Sequence, residues 1–367
     1  MSRSDLKELL RQRREQEEAQ AQPADFWPEL CDRVNDGQVI PIVSNSVVND
    51  LIFSLFVDSD ENNPLRWNAE DSLSDAWAEE IEFPLPERQL LPRVALYVRV
   101  VQSKTVREAK LRYLSFLKKT LLLLAENDGV DAVTLEDLRR PELGFADAAV
   151  ELGYPRPVPD QLGPLEILAK LRLPIYITTS HYDFLERAIR ADHREPRTQI
   201  CFWAGEPNKY TDPTHKTDPN FQPSVENPLV YHIFGLESYI ESMVLNEDDY
   251  LDFLRNVARD AAGSNRILPA YLTEAIAKSS LLLLGYRLRD LEFRVMFRAL
   301  IPPSGLRDFN VALQMDLRQQ SKGATVRQIT EYLTKYFGDD FNVSLEPLPD
   351  FMTNLWNRCR HGGTTTG

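Results

Sequence analysis

Six short apolar runs, each ending in small or polar residues, constrain this chain more than any other feature of its sequence. The first is Gln38-Val39-Ile40-Pro41-Ile42-Val43, followed by Ser44-Asn45-Ser46 and a segment of helical character from Val47 to Phe56. Leu173–Ile177 follows a helix over Gly163–Leu171 and runs through Thr178-Thr179-Ser180-His181-Tyr182-Asp183 into a helix over Phe184–Arg190. Leu229–Ile233 ends at Phe234-Gly235, and Ser280–Leu284 ends at Gly285-Tyr286-Arg287-Leu288-Arg289-Asp290 before a helix over Leu291–Leu300. Two further runs, Asn310–Met315 and Asn342–Glu346, flank a helix over Thr325–Phe337. Apolar strands alternating with helices predict an α/β protein with a Rossmann-like parallel sheet flanked by helices. Ligands of such sheets bind beyond the carboxyl ends of the strands, where these polar clusters fall.

Three segments organise the chain. Residues 1–24 are charged, lack aromatic residues before Phe26 and predict a solvated helical segment. Residues 25–320 carry the Rossmann domain, with a large helical insertion over about 59–160 after the first βα unit. There Leu111, Leu114, Leu117 and Leu121 mark one helix face. Residues 321–367 add a helix, a strand and a helix that close the sheet, then a flexible tail. Cys201, Trp203 and the proline-rich stretch 207–228 read as an irregular surface segment.

The net charge of −14 argues against direct nucleic-acid binding, because an acidic surface repels phosphate backbones. Cys31, Cys201 and Cys359 lie far apart with no CxxC pair, which argues against a disulfide framework and a cysteine-rich zinc site. No secretory leader and no apolar run long enough for a membrane span appears, so the expectation is a cytoplasmic protein without membrane association. The glycine-rich phosphate loops, the GxSxG elbow and the HExxH motif are absent.

At the strand ends, Thr178, Thr179, Ser180 and Asp183 offer short oxygen-bearing side chains. They suit ribose hydroxyls or water, or else cap the following helix. Asp290 suits a base or ribose contact, or an N-cap. His181 and His232 are the histidines placed to act as acid or base.

The order of these motifs resembles the prokaryotic SIR2-like domain, the divergent relative of sirtuins found in many bacterial anti-phage systems. The likeness rests on Val39–Ser46, Ile177–Glu186, Leu229–Gly235, Ser242–Tyr250 and Leu282–Arg294, and spans about residues 25–357. It implies NAD as substrate or ligand, cleavage of the nicotinamide–ribose bond, an asparagine that positions ribose and water, and a histidine base. It also implies a protein partner from a defence system and a homo-oligomer. Thr178, Thr179, Asp183, Gly235, Gly285, Tyr286 and Asp290 keep the family pattern. The glycine loop is here Ser44-Asn45-Ser46, the asparagine position is Ser180 and the histidine position is Phe234. Three readings follow: an NAD⁺ hydrolase in which His181 or His232 replaces the base, assisted by Ser180; a degenerate relative that binds NAD or a related nucleotide through Ser44, Asn45, Ser46, Thr178, Thr179, Asp183, Phe234, Gly235, Gly285, Tyr286 and Asp290; and a structural scaffold.

Overall fold

The computed structural model describes residues 26–53, 68–156, 161–204, 218, 220–260, 267–300, 311–315, 326–337 and 341–361. The charged segment 1–24, the acidic stretch 58–63 and the tail after residue 361 lie outside them, as does 205–217 of the proline-rich loop. In chain order the elements begin with α1 (Phe26–Asn35), β1 (Val39–Val43) and α2 (Asn45–Ile52). The helices α3 (Ala69–Glu80), α4 (Leu91–Tyr97), α5 (Val106–Asn127), α6 (Ala132–Leu138), α7 (Phe145–Glu151) and α8 (Pro164–Lys170) follow. Next come β2 (Ile175–Thr178), α9 (Phe184–Ala191), β3 (Arg197–Ile200), β4 (Leu229–His232), α10 (Glu247–Asp260) and α11 (Ala270–Lys278). The chain continues through β5 (Ser280–Tyr286), α12 (Leu291–Leu300), β6 (Val311–Met315), α13 (Val326–Phe337), β7 (Phe341–Ser344) and α14 (Leu348–His361).

The seven strands form one parallel sheet in the order β3-β4-β2-β1-β5-β6-β7. Because β1 is buried on both faces, it reads as a continuous apolar run rather than an alternation. Its two sets of side chains feed two cores. Val39 and Val43 pack with Tyr176, Val230, Leu282 and Leu284 on the face that also carries α1, α2, α8, α9 and α14. Ile40 and Ile42 pack with Ile177, Tyr231, Leu281 and Leu283 beneath α10, α11, α12 and α13. Pro41 lies mid-strand, and its missing amide faces β2, since Val43 O of the same parity accepts from Thr179 N. The β1–β2 ladder accordingly pairs only Ile42 and Val43, whereas β1 pairs with β5 along its whole length.

Three of the helices between α2 and β2, namely α3, α5 and α6, start on side-chain caps: Asn68 accepts from Asp71 N, Thr105 from Glu108 N, and Asp131 from Val133 N and Thr134 N. Along α5 the buried stripe is Ala109, Tyr113, Phe116, Leu117, Thr120 and Leu121. Leu111, expected on the inner face, is 40% exposed, because the stripe runs one position away from it.

The sheet has one strand beyond those predicted, and two further expectations are corrected. Arg197–Ile200 is the edge strand β3, held to β4 by backbone bonds that do not depend on side-chain type. Cys201 and Trp203 are buried rather than superficial, and the Trp203 indole donates to the Ser242 carbonyl at 2.7 Å. Cys31 and Cys359 form a disulfide. Folding packs α1 against α14, with Trp27 and Phe351 ring centroids 5.4 Å apart, and so joins cysteines whose sequence spacing carries no sign of contact. Among the described residues, no helix is long and apolar enough to cross a membrane.

Candidate functional site

The chain leaves β1 toward β2 on one side and returns to pair β5 on the other, so the strand order reverses between β1 and β5. In parallel α/β sheets such a reversal marks the crevice where ligands bind, at the carboxyl ends of these strands. Ser44 spans it: its amide donates to Leu284 O at 3.1 Å and its hydroxyl to Gly285 O at 2.8 Å. Helix α2 begins at once and approaches β5 so closely that a Cβ on Gly285 would lie 2.2 Å from Val47 Cγ2, at a φ of +76°. Gly235 is similarly required, at a φ of +85° with the Ser242 carbonyl 2.3 Å from an added Cβ. Both motif glycines thus have a packing cause.

Two carboxylates meet at the start of α2. Asn45 N–H donates to Thr179 Oγ1 at 3.0 Å and to Glu292 Oε1 at 3.3 Å, and the Thr179 hydroxyl also donates to Glu292. Glu70, from α3, accepts from Asn45 Nδ2 at 3.2 Å and from Ser46 Oγ at 2.7 Å. Burial, then the neighbouring charge of Glu70, pushes the Glu292 carboxyl up to about 8. Burial raises Glu70 as well, against the opposing pull of Arg287.

Beside this pair, Arg287 donates to Asp71 at 2.7 Å and to Asp290 at 2.9 Å, and Arg289 also bonds Asp71. Asp290 is therefore committed to a guanidinium, and burial raises its carboxyl despite that partner. Its side chain is neither free for a ligand nor spent on capping.

A second group of polar atoms is buried without a hydrogen-bond partner among the described residues: Asn45 Oδ1, both amide atoms of Asn49, and the hydroxyls of Tyr113 and Tyr182. Asn49 follows Asn45 by one turn on the same face of α2. The Tyr182 ring lies 4.7 Å from Phe145, which stacks on Phe53 at 5.8 Å, and Tyr113 lies 5.1 Å from Trp77. Burial first holds both phenols well above their usual range, followed for Tyr113 by Glu70 and Glu292 and for Tyr182 by Tyr113 and then Glu237 and Glu70. Buried polar atoms normally find partners, so this concentration marks a place suited to a polar ligand.

The other expected residues are distributed unevenly. Thr178 Oγ1 donates to Val43 O and accepts from Ser180 N, while Ser180 Oγ accepts from Tyr182 N. These bonds shape the turn, so neither Thr179 nor Ser180 caps α9; Asp183 holds the N-cap position without a side-chain cap bond. The Asp183 carboxylate turns to Arg187 at 2.8 Å, which also reaches Asp147. Phe234 packs in the core under α10, with ring centroids 5.2 Å from Tyr250 and 5.1 Å from Phe253. Tyr286 is buried 5.6 Å from Phe293.

The two histidines differ. Both nitrogens of His232 face acceptors, Nδ1 the Ser180 carbonyl and Nε2 Glu186 Oε1, each at 2.8 Å. Burial alone would depress its pKa, but Glu186 and the carbonyl raise it. His181 directs Nε2 to Val244 O at 3.2 Å and leaves Nδ1 without a partner. Burial drops its pKa to about 3.

The structure therefore gathers Ser44, Asn45, Ser46, Thr179, Gly285 and Asp290 around α2, and directs His232, Asp183 and Phe234 elsewhere. Sequence reasoning missed Asn49, Glu70, Tyr113, Tyr182, Glu186 and Glu292. Of these, Glu70, Glu186 and Glu292 carry a local signal, each as an acid in the first turn of its helix, α3, α9 and α12.

The fold defines an α/β Rossmann-like protein with its polar centre at the strand-order reversal. A family model described as the SIR2-like domain matches residues 174–332, from the start of β2 into α13. The match leaves out Ser44–Ser46 and the helices between α2 and β2. No curated protein matches the chain.

Proposed function

We propose that this chain binds NAD or a closely related nucleotide at the carboxyl ends of β1, β2 and β5 and acts through binding rather than hydrolysis. The observation that carries the reading is the set of orphaned buried groups, Asn45 Oδ1, the Asn49 amide and the hydroxyls of Tyr113 and Tyr182, in the crevice of a protein that matches the SIR2-like domain. These atoms supply donors and acceptors for an amide, a base edge or ribose hydroxyls. The aromatic rings beside them suit a planar group.

Against turnover stand the residues that would have to replace the family's base. His232 has no free nitrogen lone pair while it donates to two acceptors. Phe234 cannot take a proton. General-base catalysis typically contributes about 10²–10⁴-fold, and a base far from its working pH loses much of that. The hydrolase remains the second reading for one reason: the Nδ1 atom of His181 has no partner. The resemblance extends the proposal to a defence system, with a protein partner and a homo-oligomer as the assembly that reads the bound state.

Calorimetry and thermal unfolding with NAD and ADP-ribose, run beside chromatography for released nicotinamide, test the reading. Binding is expected to stabilise the fold by about 2.7 kcal/mol at a hundredfold excess over Kd, with no nicotinamide released. Release that disappears in His181→Ala would replace the binder with the hydrolase. An unchanged Tm with either compound would end the nucleotide reading.

A further inference from the structure

Rossmann-type crevices bind phosphate at the first amides of the helix that follows β1, where exposed N–H groups and the helix dipole favour negative charge. In this protein that place is already taken by the protein's own acids. Glu292, from α12, accepts the Asn45 amide and the Thr179 hydroxyl, and Glu70, from α3, accepts the side chains of Asn45 and Ser46. The two carboxylates come from different helices, α12 and α3, and close on one residue, Asn45.

A second observation shows that this closed arrangement leaves binding capacity unused. Asn45 Oδ1 and both amide atoms of Asn49, one turn further along α2, are buried and have no partner among the described residues. An acceptor at Asn45 suits a ribose hydroxyl, and the donors now given to Glu292 suit a phosphate.

Resting on the nucleotide reading, we propose that Glu292 and Glu70 form an internal plug at the amino end of α2, and that a phosphate-bearing nucleotide binds by displacing Glu292 from the Asn45 amide and the Thr179 hydroxyl. The plug is thus a specificity element: it admits ligands whose phosphate outcompetes a carboxyl group held in place.

The groups facing the plug set how this competition varies with pH. Glu292 faces Glu70, Thr179 and Asp290, and the phenols of Tyr113, Tyr250 and Tyr286 lie within its field. Glu70 faces Arg287, whose guanidinium lies 3.9 Å away and also holds Asp71 and Asp290, with Arg289 on Asp71. Near neutrality Glu292 is protonated, in keeping with its value of about 8, and it yields the amide readily. At higher pH it is an anion that both holds the amide more strongly and repels phosphate.

The test compares the full chain with Glu292→Gln, using NAD and inorganic pyrophosphate as separate probes in calorimetry. The wild type is expected to lose about tenfold in affinity for NAD per unit of pH above about 8, as one proton is linked to binding. Glu292→Gln is expected to bind more tightly at high pH and to show a flat NAD profile. Tighter pyrophosphate binding by the variant without any NAD binding keeps the plug and ends the nucleotide reading. NAD binding that is equal in both proteins and independent of pH keeps the nucleotide reading and overturns the plug. No binding of either probe to either protein overturns both. Should the variant fail to fold, the wild-type NAD profile decides alone: a fall above about pH 8 supports the plug, and a flat profile rejects it.

Discussion

His232 and Glu186 form a fully buried pair, Nε2 to Oε1 at 2.8 Å, while the other ring nitrogen of His232 faces the Ser180 carbonyl at the same distance. A carbonyl and a carboxylate both require an N–H, so this geometry selects the imidazolium. Thr198 adds its hydroxyl to the same Glu186 oxygen at 2.8 Å. The pair clamps the turn after β2 against α9.

Breaking a buried pair by removing one partner costs about 3–5 kcal/mol. Glu186→Ala should therefore destabilise the protein by about that amount in urea unfolding, since it strands the His232 charge. A loss well under 1 kcal/mol would mean that His232 is neutral in the native state. The pH dependence follows from two shifts. His232 is raised above 6.5, so its contribution is complete below that value and is lost as pH rises through the raised value. Glu186 is lowered below 4.5, so its contribution is complete above that value and is lost as pH falls through the lowered one. The pair is strongest between these limits, and the Tm difference between wild type and Glu186→Gln should shrink on either side.

Gly285 is predicted to tolerate no side chain. Gly285→Ala places a methyl group 2.2 Å from Val47 Cγ2 at a φ of +76°. The expected cost is about 1–3 kcal/mol from overpacking, with backbone strain added. Val47→Ala in the same chain should recover part of it, because the steric component is removed and the positive φ is not. Equal stabilities for the single and double variants would show that strain, not contact, dominates.

Asp71 binds two guanidiniums and so ties α3 to the β5–α12 loop. Its side chain is 1% exposed, and Asp71→Ala leaves Arg287 with Asp290 as its remaining close partner. The expected loss is about 3 kcal/mol, in the range for buried networks. Hydrogen exchange should quicken in both α3 and the loop. Faster exchange confined to α3 would mean that the loop holds its shape without the network.

Glu237 joins the turn after Gly235 to the start of α7, accepting from Ala146 N at 2.8 Å and Phe145 N at 3.1 Å. Glu237→Ala should cost about 1 kcal/mol, as the loss of a helix cap does, and should speed exchange at those two amides. Burial raises Glu237 to about 7, above its unfolded value, so the carboxylate destabilises the fold as pH rises toward 7 and is neutral and tolerated below 4.5. Glu237→Gln should accordingly gain stability relative to wild type above pH 7 and match it in acid.

Much of the frame was legible in the sequence because its signal is local. The runs at β1, β2, β4 and β5 are apolar on both faces, as strands covered by helices must be, and each ends in residues that form turns. Their polar ends put Ser44, Asn45, Ser46, Thr179, Gly285 and Asp290 at the carboxyl ends of the strands. Edge strand β3 escaped, since Arg197-Thr198-Gln199 lacks the apolar pattern and pairs only through its backbone.

The chemistry of the crevice was decided by tertiary structure alone. Asn45 meets Thr179 134 residues away and Glu292 247 residues away, and Cys31 meets Cys359 across 328 residues. Glu70 reaches Asn45 and Ser46 only because α3 packs against α2. His181 and His232 are both candidate bases from the sequence, yet one keeps a nitrogen without a partner and the other spends both. Periodicity is a property of contiguous residues and dictates which elements form and which faces they bury. Which carboxylate meets which amide depends on how those elements stack, and no local pattern encodes that.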